Sequence, residues 1–125
     1  MPDRNLDDLH PSLEPLCKQF LAECEASLLH VIVTETWRDP AREDQLHAEG
    51  VTKSTGLTCK HCFTINGSPA SKAFDFAVLD ENNRMVQDGK DERYSLAGIL
   101  GKKIGLIWGG DYKTAKPDYD HFEIA

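Results

Sequence analysis

Leu9, Leu13, Leu16, Phe20, Leu21, Cys24 and Leu28 recur at steps of three and four along the opening segment. That spacing lines one stripe of a helix, so it predicts a long amphipathic helix over about 9–28. Pro11 and Pro15 fall near its start. A proline is tolerated in a first turn and not deeper, so the helix can begin as late as Ser12. The period then changes. His30-Val31-Ile32-Val33-Thr34 is a β-branched run that predicts a buried strand. Thr36-Trp37-Arg38-Asp39-Pro40 turns the chain, with Asp39 as N-cap and Pro40 as the first residue of a short helix reaching Glu49, where Gly50 stops it.

Residues 51–71 show little periodicity and read as a long loop, of a length that is commonly functional or mobile. Lys72-Ala73-Phe74-Asp75-Phe76-Ala77-Val78-Leu79 alternates as a strand, and Asp80-Glu81-Asn82-Asn83 turns toward a partner strand near Arg84-Met85-Val86. Tyr94, Leu96, Ala97, Ile99, Leu100 and Ile104 mark a further helix ending at Gly105. Leu106-Ile107-Trp108 and His121-Phe122-Glu123-Ile124 are the closing strands. The sum is an α+β fold, a small and largely antiparallel sheet with flanking helices. A chain of 125 residues makes it one domain, with the N-terminal helix leading into a core of about 30–125.

Charge narrows the partners. A net charge of −7 with scattered lysines and arginines argues against nucleic acid, since phosphate binding needs clustered cations. No apolar run is long enough to cross a bilayer. The polar, acidic start Met1-Pro2-Asp3-Arg4-Asn5-Leu6-Asp7-Asp8 does not read as a signal peptide, so none is expected. A monomer with neither nucleic-acid nor membrane partners is expected. Cys17 and Cys24 sit in the helical stripe as buried apolar residues, while Cys59-Lys60-His61-Cys62 groups two thiols with an imidazole.

The chemistry-bearing residues are His61, Asp75 and His121, with Asp118 three residues before the last. Two imidazoles and a carboxylate form a ligand set that leaves one position of Zn²⁺ open for water. Asp75 lies between Phe74 and Phe76, where it either faces a metal that offsets its burial or points to solvent with both rings inward. Asp118 in a turn can act as general base, and its rival Asp120 would point to the opposite face of an extended segment. Both are otherwise ordinary loop acids. Arg38, after the first strand, can hold a substrate carboxylate or an oxyanion, or be an exposed turn arginine; Gln45 can face the same cleft.

In this order the segments resemble the zinc peptidases of the D-alanyl-D-alanine peptidase and hedgehog-type fold, and among them the phage L-alanyl-D-glutamate endopeptidases. The resemblance runs from about Thr34 to Ile124. Thr36-Trp37-Arg38-Asp39-Pro40 and Gln45-Leu46-His47-Ala48-Glu49-Gly50 resemble the family's arginine segment and following helix. Lys60-His61 and Ala73-Phe74-Asp75 resemble the two ends of its ligand motif. Trp108-Gly109-Gly110-Asp111 and Asp118-Tyr119-Asp120-His121-Phe122-Glu123 resemble its closing motif. The step from His61 to Asp75 is fourteen positions, about seven more than the family's commonest form; the surplus falls around Phe63 to Pro69, where a loop absorbs it at small entropic cost. Cys59 and Ser71 replace the usual Ser and Gly.

The resemblance implies that His61, Asp75 and His121 bind one Zn²⁺, that Asp118 is the acid/base, that Arg38 positions substrate or oxyanion, and that Gln45 and Trp108 contact substrate. It implies an endopeptidase that cuts the peptide stem of peptidoglycan, between L-Ala and D-Glu, for host-wall lysis. Such an enzyme is held in the host cytoplasm until released to the cell wall or periplasm. The rival readings are a D-alanyl-D-alanine carboxypeptidase or dipeptidase of the same fold, a structural zinc knot of Cys59, His61 and Cys62, and a zinc-containing binding module without catalysis.

Overall fold

The strand Ala73–Val78 (β4) organises the molecule because its alternation serves both faces at once. Phe74 and Phe76 are fully buried on one side, and Asp75 stands half-buried on the other. Both rings turn inward, and on the opposite face Asp75 meets His61 and His121 rather than open solvent. The computed structural model describes residues 2–50 and 59–125. The first part of the predicted long loop, 51–58, lies outside the described residues.

Among the described residues three α-helices accompany the sheet: Glu14–Ala26 (α1), Pro40–Ala48 (α2) and Glu92–Lys103 (α3). The sheet contains Val31–Glu35 (β1), β4, Ile107–Trp108 (β5) and His121–Glu123 (β6). To keep chain order, Thr64–Ile65 and Ser68–Pro69 are β2 and β3, a separate two-stranded hairpin. The main sheet runs β1-β4-β6-β5 with every pairing antiparallel. This is the expected α+β architecture.

The core lies between the sheet and helices α1 and α3. Phe20 of α1 meets Phe74, Phe76 and Phe122 with ring centroids 4.8–5.8 Å apart. Across the strands Phe74 pairs with Phe122, and Phe122 with Trp108, so one row of aromatics fills one face. Cys17 and Cys24 are buried in α1 as apolar residues. At Gly101 of α3 a Cβ would collide with the Phe122 ring, so the helix approaches the sheet only because that position has no side chain.

Several elements differ from the sequence expectation. Helix α1 starts at Glu14, with Pro15 in its first turn, later than the predicted 9–28 span. Leu9 instead bridges to Ser71, and Leu13 and Glu14 donate to the His10 carbonyl. Leu28 leaves the helical stripe: it adopts φ 59°, points outward, and hands the buried position to Leu29, whose N–H closes on Cys24 O. Within the long loop, Asn66 and Gly67 have φ 52° and 80° and make the turn of the β2–β3 hairpin. The Asn-Gly pair is a strong local hairpin signal, but its flanking strands are two residues each, too short to show a period. Near Met85 only a single bridge to Leu79 forms rather than a strand. Helix α2 begins as expected, with Asp39 Oδ1 accepting from Ala41 N at 2.8 Å and Gly50 at φ 76° beyond its end.

Candidate active site

Pairing across the sheet assembles the polar row. Glu35 of β1 faces Asp75 of β4, and Asp75 faces His121 of β6. Paired residues share a face, so all three point away from the aromatic core. His61 reaches the same place from the 3₁₀ turn Lys60–Cys62, which is tied to the sheet by Lys72 N to Lys60 O and to the α2 entry by Arg38 N to His61 O, both 2.9 Å. The donor atoms of His61, Asp75 and His121 all lie within 4.8 Å of one another.

The hydrogen bonds set which ring nitrogens face inward. His61 Nδ1 lies 2.7 Å from the Thr36 carbonyl oxygen, which only accepts, so Nδ1 carries the proton and Nε2 turns its lone pair on Asp75 Oδ1 at 3.2 Å. His121 Nε2 lies 3.0 Å from Glu123 Oε1, and its Nδ1 lies 3.0 Å from the same Asp75 oxygen. Three acceptor atoms therefore converge on one point, where they repel unless a cation or a proton stands between them. The donor set fits a divalent metal of the zinc type, with each outer imidazole N–H given to an oxygen as metal-binding histidines require.

Charge perturbation follows. Burial raises the Asp75 carboxyl, but His61 and His121 outweigh it and hold the group well below the usual carboxylate range. Burial lowers His121, yet the Asp75 and Glu123 bonds lift it to about 10. Glu123, against burial, is brought down to about 2 by His121, Lys60 and Tyr112. Lys60 Nζ donates to Glu123 Oε2 at 2.6 Å and to the Ile124 carbonyl at 2.7 Å, and Tyr112 donates to Glu123 Oε1. Glu123 is thus the anchor of the His121 ring. Glu123→Gln is expected to fold normally and bind Zn²⁺ about 10–100-fold more weakly, read by competition against a chromophoric chelator.

Asp118 and Asp120 join Asp75 in a second cluster whose oxygens lie within 4.8 Å of one another. Asp118 Oδ2 is 3.9 Å from His121 Nδ1, and its side chain is about half exposed. The expectation that Asp120 would point to the opposite face fails, because Tyr119 and Asp120 form a turn and strand alternation does not apply. Desolvation, a hydrogen bond with Asp118 and the Asp75 charge push Asp120 up to about 8. The glycine pair has a physical reason: a Cβ at Gly109 would strike the Asp118 carbonyl oxygen, whose own N–H donates to Gly109 O at 3.0 Å. The tight turn seats Asp118.

Other predicted residues are placed differently. Arg38 is neither exposed nor free for a substrate: its guanidinium bonds Glu35, and Glu43 at 2.8 Å, with Asp75 Oδ2 at 3.7 Å. Two buried carboxylates, Glu35 and Glu43, already hold this guanidinium, which also borders Asp75. Gln45 is exposed on α2; Glu43 faces the site, and two residues further the helix has turned by about 200°. Trp108 is buried in the core, with Nε1 donating to Tyr119 O at 2.9 Å. Cys59 and Cys62 gather with Glu43, while His61 turns to Asp75, so the three donors of a Cys-His-Cys knot are separated. Burial pushes both thiols up, and they stay protonated.

Sequence reasoning missed Glu35, Glu43, Lys60, Tyr112 and the anchor role of Glu123. A signal existed for the last. Two positions from His121 in a strand is the same face. A groove of about 490 Å³ runs along the acidic side of the triad, lined by Glu35, Asp75, Asp118 and Asp120 together with Arg4 and Tyr94.

Residues 70–124 match the family model described as D-alanyl-D-alanine carboxypeptidase. That segment contains Asp75, Asp118, His121 and Glu123. Over this segment the chain is similar to that peptidase family. Across 94% of its length it is 27% identical to the peptidoglycan L-alanyl-D-glutamate endopeptidase CwlK of Bacillus subtilis (strain 168), spanning 74% of that protein. Its fold matches the crystal structure of the Serratia marcescens L-Ala D-Glu endopeptidase ChiX with a TM-score of 0.76 and 21% identity, over 100% of this chain and 89% of that one.

Proposed function

We propose that the protein hydrolyses the amide between L-Ala and D-Glu in the peptide stem of peptidoglycan, using one Zn²⁺ held by His61, Asp75 and His121. The observation that carries this reading is the convergence of two ring-nitrogen lone pairs and a carboxylate oxygen on one point beside an acid-lined groove. The relative in Bacillus subtilis bears that substrate in its name.

Zn²⁺, when bound, acidifies a water and polarises the scissile carbonyl. The chain supplies the rest. Asp118 takes a proton from the attacking water and passes it to the departing amine. Thr36 and Glu123 fix the two imidazoles by accepting their outer N–H bonds. Arg38 holds Asp75 in place from the side away from His121. The likeness to phage enzymes in the closing motif supports host-wall lysis as the biological use.

One further reading draws on the family description, trimming of a terminal D-Ala. Mass spectrometry of digested muropeptides separates the two: the endopeptidase releases the stem after L-Ala, and the carboxypeptidase removes one terminal residue. The expected result is cleavage after L-Ala, abolished by a chelator and restored by stoichiometric Zn²⁺. Intact stems shortened by one D-Ala would overturn the bond assignment, and full activity in chelator would overturn the metal.

A further inference from the structure

The groove beside the triad has a lopsided charge. Glu35, Asp75, Asp118 and Asp120 line it, and among the described residues on its wall Arg4 is the one basic side chain. The other cations bordering the triad are engaged. Arg38 bonds Glu35 and Glu43, Arg42 lies 3.7 Å from Glu35, and Lys60 is bound to Glu123 and the Ile124 carbonyl. Arg4 is exposed and makes no ion pair or side-chain hydrogen bond among the described residues.

Its backbone is nevertheless held. Asp3 O accepts from Thr36 N at 2.6 Å, and Thr36 Oγ1 donates to Asn5 O at 2.9 Å. The residues on both sides of Arg4 are therefore clipped to Thr36, the buried residue whose carbonyl orients His61. A free guanidinium is carried to the groove on a support shared with the triad.

We propose that Arg4 is the specificity-determining residue that receives the substrate carboxylate next to the scissile amide. The inference rests on the L-Ala–D-Glu reading above. An acidic residue entering this groove meets Asp118 and Asp120 and is repelled without a local counter-charge. Arg38, expected from the sequence to do this, is buried and already paired with Glu35 and Glu43. A guanidinium offers a planar fork to a carboxylate and gains nothing comparable from a neutral carboxamide. Arg4 is exposed, so its contribution is modest and falls with salt.

The test uses the full-length Zn²⁺-loaded chain and two synthetic stem peptides, one with the free glutamate carboxylate beside the scissile amide and one with that group as a carboxamide. Wild-type protein is expected to prefer the acid, and Arg4→Gln to lose about tenfold of that preference in kcat/KM, nearly all of it in KM. Arg4→Lys is expected to recover part of it, Arg4→Glu to favour the carboxamide, and raised salt to shrink the wild-type preference alone. A wild-type enzyme that cleaves both peptides, with a preference unchanged in Arg4→Gln, overturns the assignment of Arg4 and leaves the bond assignment standing. Wild-type protein that cleaves neither peptide overturns the bond assignment, and the role of Arg4 falls with it.

Discussion

Asp118→Asn is expected to lower kcat/KM by about 10²–10⁴-fold, the range for a positioned general acid/base, equivalent to about 3–5 kcal/mol of barrier. The substitution is nearly isosteric, and the side chain is about half exposed, so folding and Zn²⁺ content should be unchanged. The geometry behind the expectation is its position 3.9 Å from His121 Nδ1, the atom directed at the metal point. Single-turnover cleavage of a stem peptide, with metal content measured on the same sample, checks it. Asp120→Asn is the control, because that carboxyl neighbours Asp118 in the same acidic cluster. Its loss is expected to stay below about tenfold, as for a neighbour that tunes rather than transfers. Equal losses in the two variants would assign the base to the pair rather than to Asp118.

His121→Ala is expected to remove stoichiometric Zn²⁺ and all measurable hydrolysis, and to destabilise the protein by about 3 kcal/mol by leaving Asp75 and Glu123 without their shared partner. Metal analysis and thermal unfolding check both parts. The pH dependence after chelation follows from the same contacts. His121 is raised from 6.5 to about 10, so its contribution to stability is complete below about pH 6.5 and is lost as pH rises through 10. Glu123, lowered from 4.5 to about 2, and Asp75, also lowered, contribute above about pH 4.5 and lose that contribution as pH falls. Chelated protein is therefore most stable between about pH 4.5 and 6.5 and weakens on the alkaline side. Zn²⁺ competes with the proton on His121, so its apparent affinity should rise with pH through the same alkaline range. Stoichiometric Zn²⁺ retained by His121→Ala would move the metal to another donor set, with Glu43, Cys59 and Cys62 the first to examine.

Much of this site is legible in one dimension. The alternation around Asp75, the spacing of Asp118 and His121, and the glycines after Trp108 each carry a local cause that acts through the next few residues. The aromatic positions Phe74, Phe76 and Phe122 are readable as core for the same reason. Leu28, by contrast, shares the helical period but sits past the helix end, where the choice between Leu28 and Leu29 is made by a left-handed cap that periodicity does not register. Arg38 and Gln45 were assigned from their place in a motif, and a motif says nothing of which neighbours reach them first.

Hydrophobic period, turn chemistry and the types of donor present are properties of short stretches, and they were enough to indicate an α+β fold and to single out the two imidazoles and the carboxylates that the fold brings together. Which acid neutralises which cation was settled by packing. Glu35 and Glu43 engage Arg38, Lys60 engages Glu123, and Arg4 is left over among the described residues, because β1, α2, the 3₁₀ turn at His61 and β6 meet over one face of the sheet. Ion pairing depends on distances between segments far apart in the chain, and those distances come into being only when the sheet has formed.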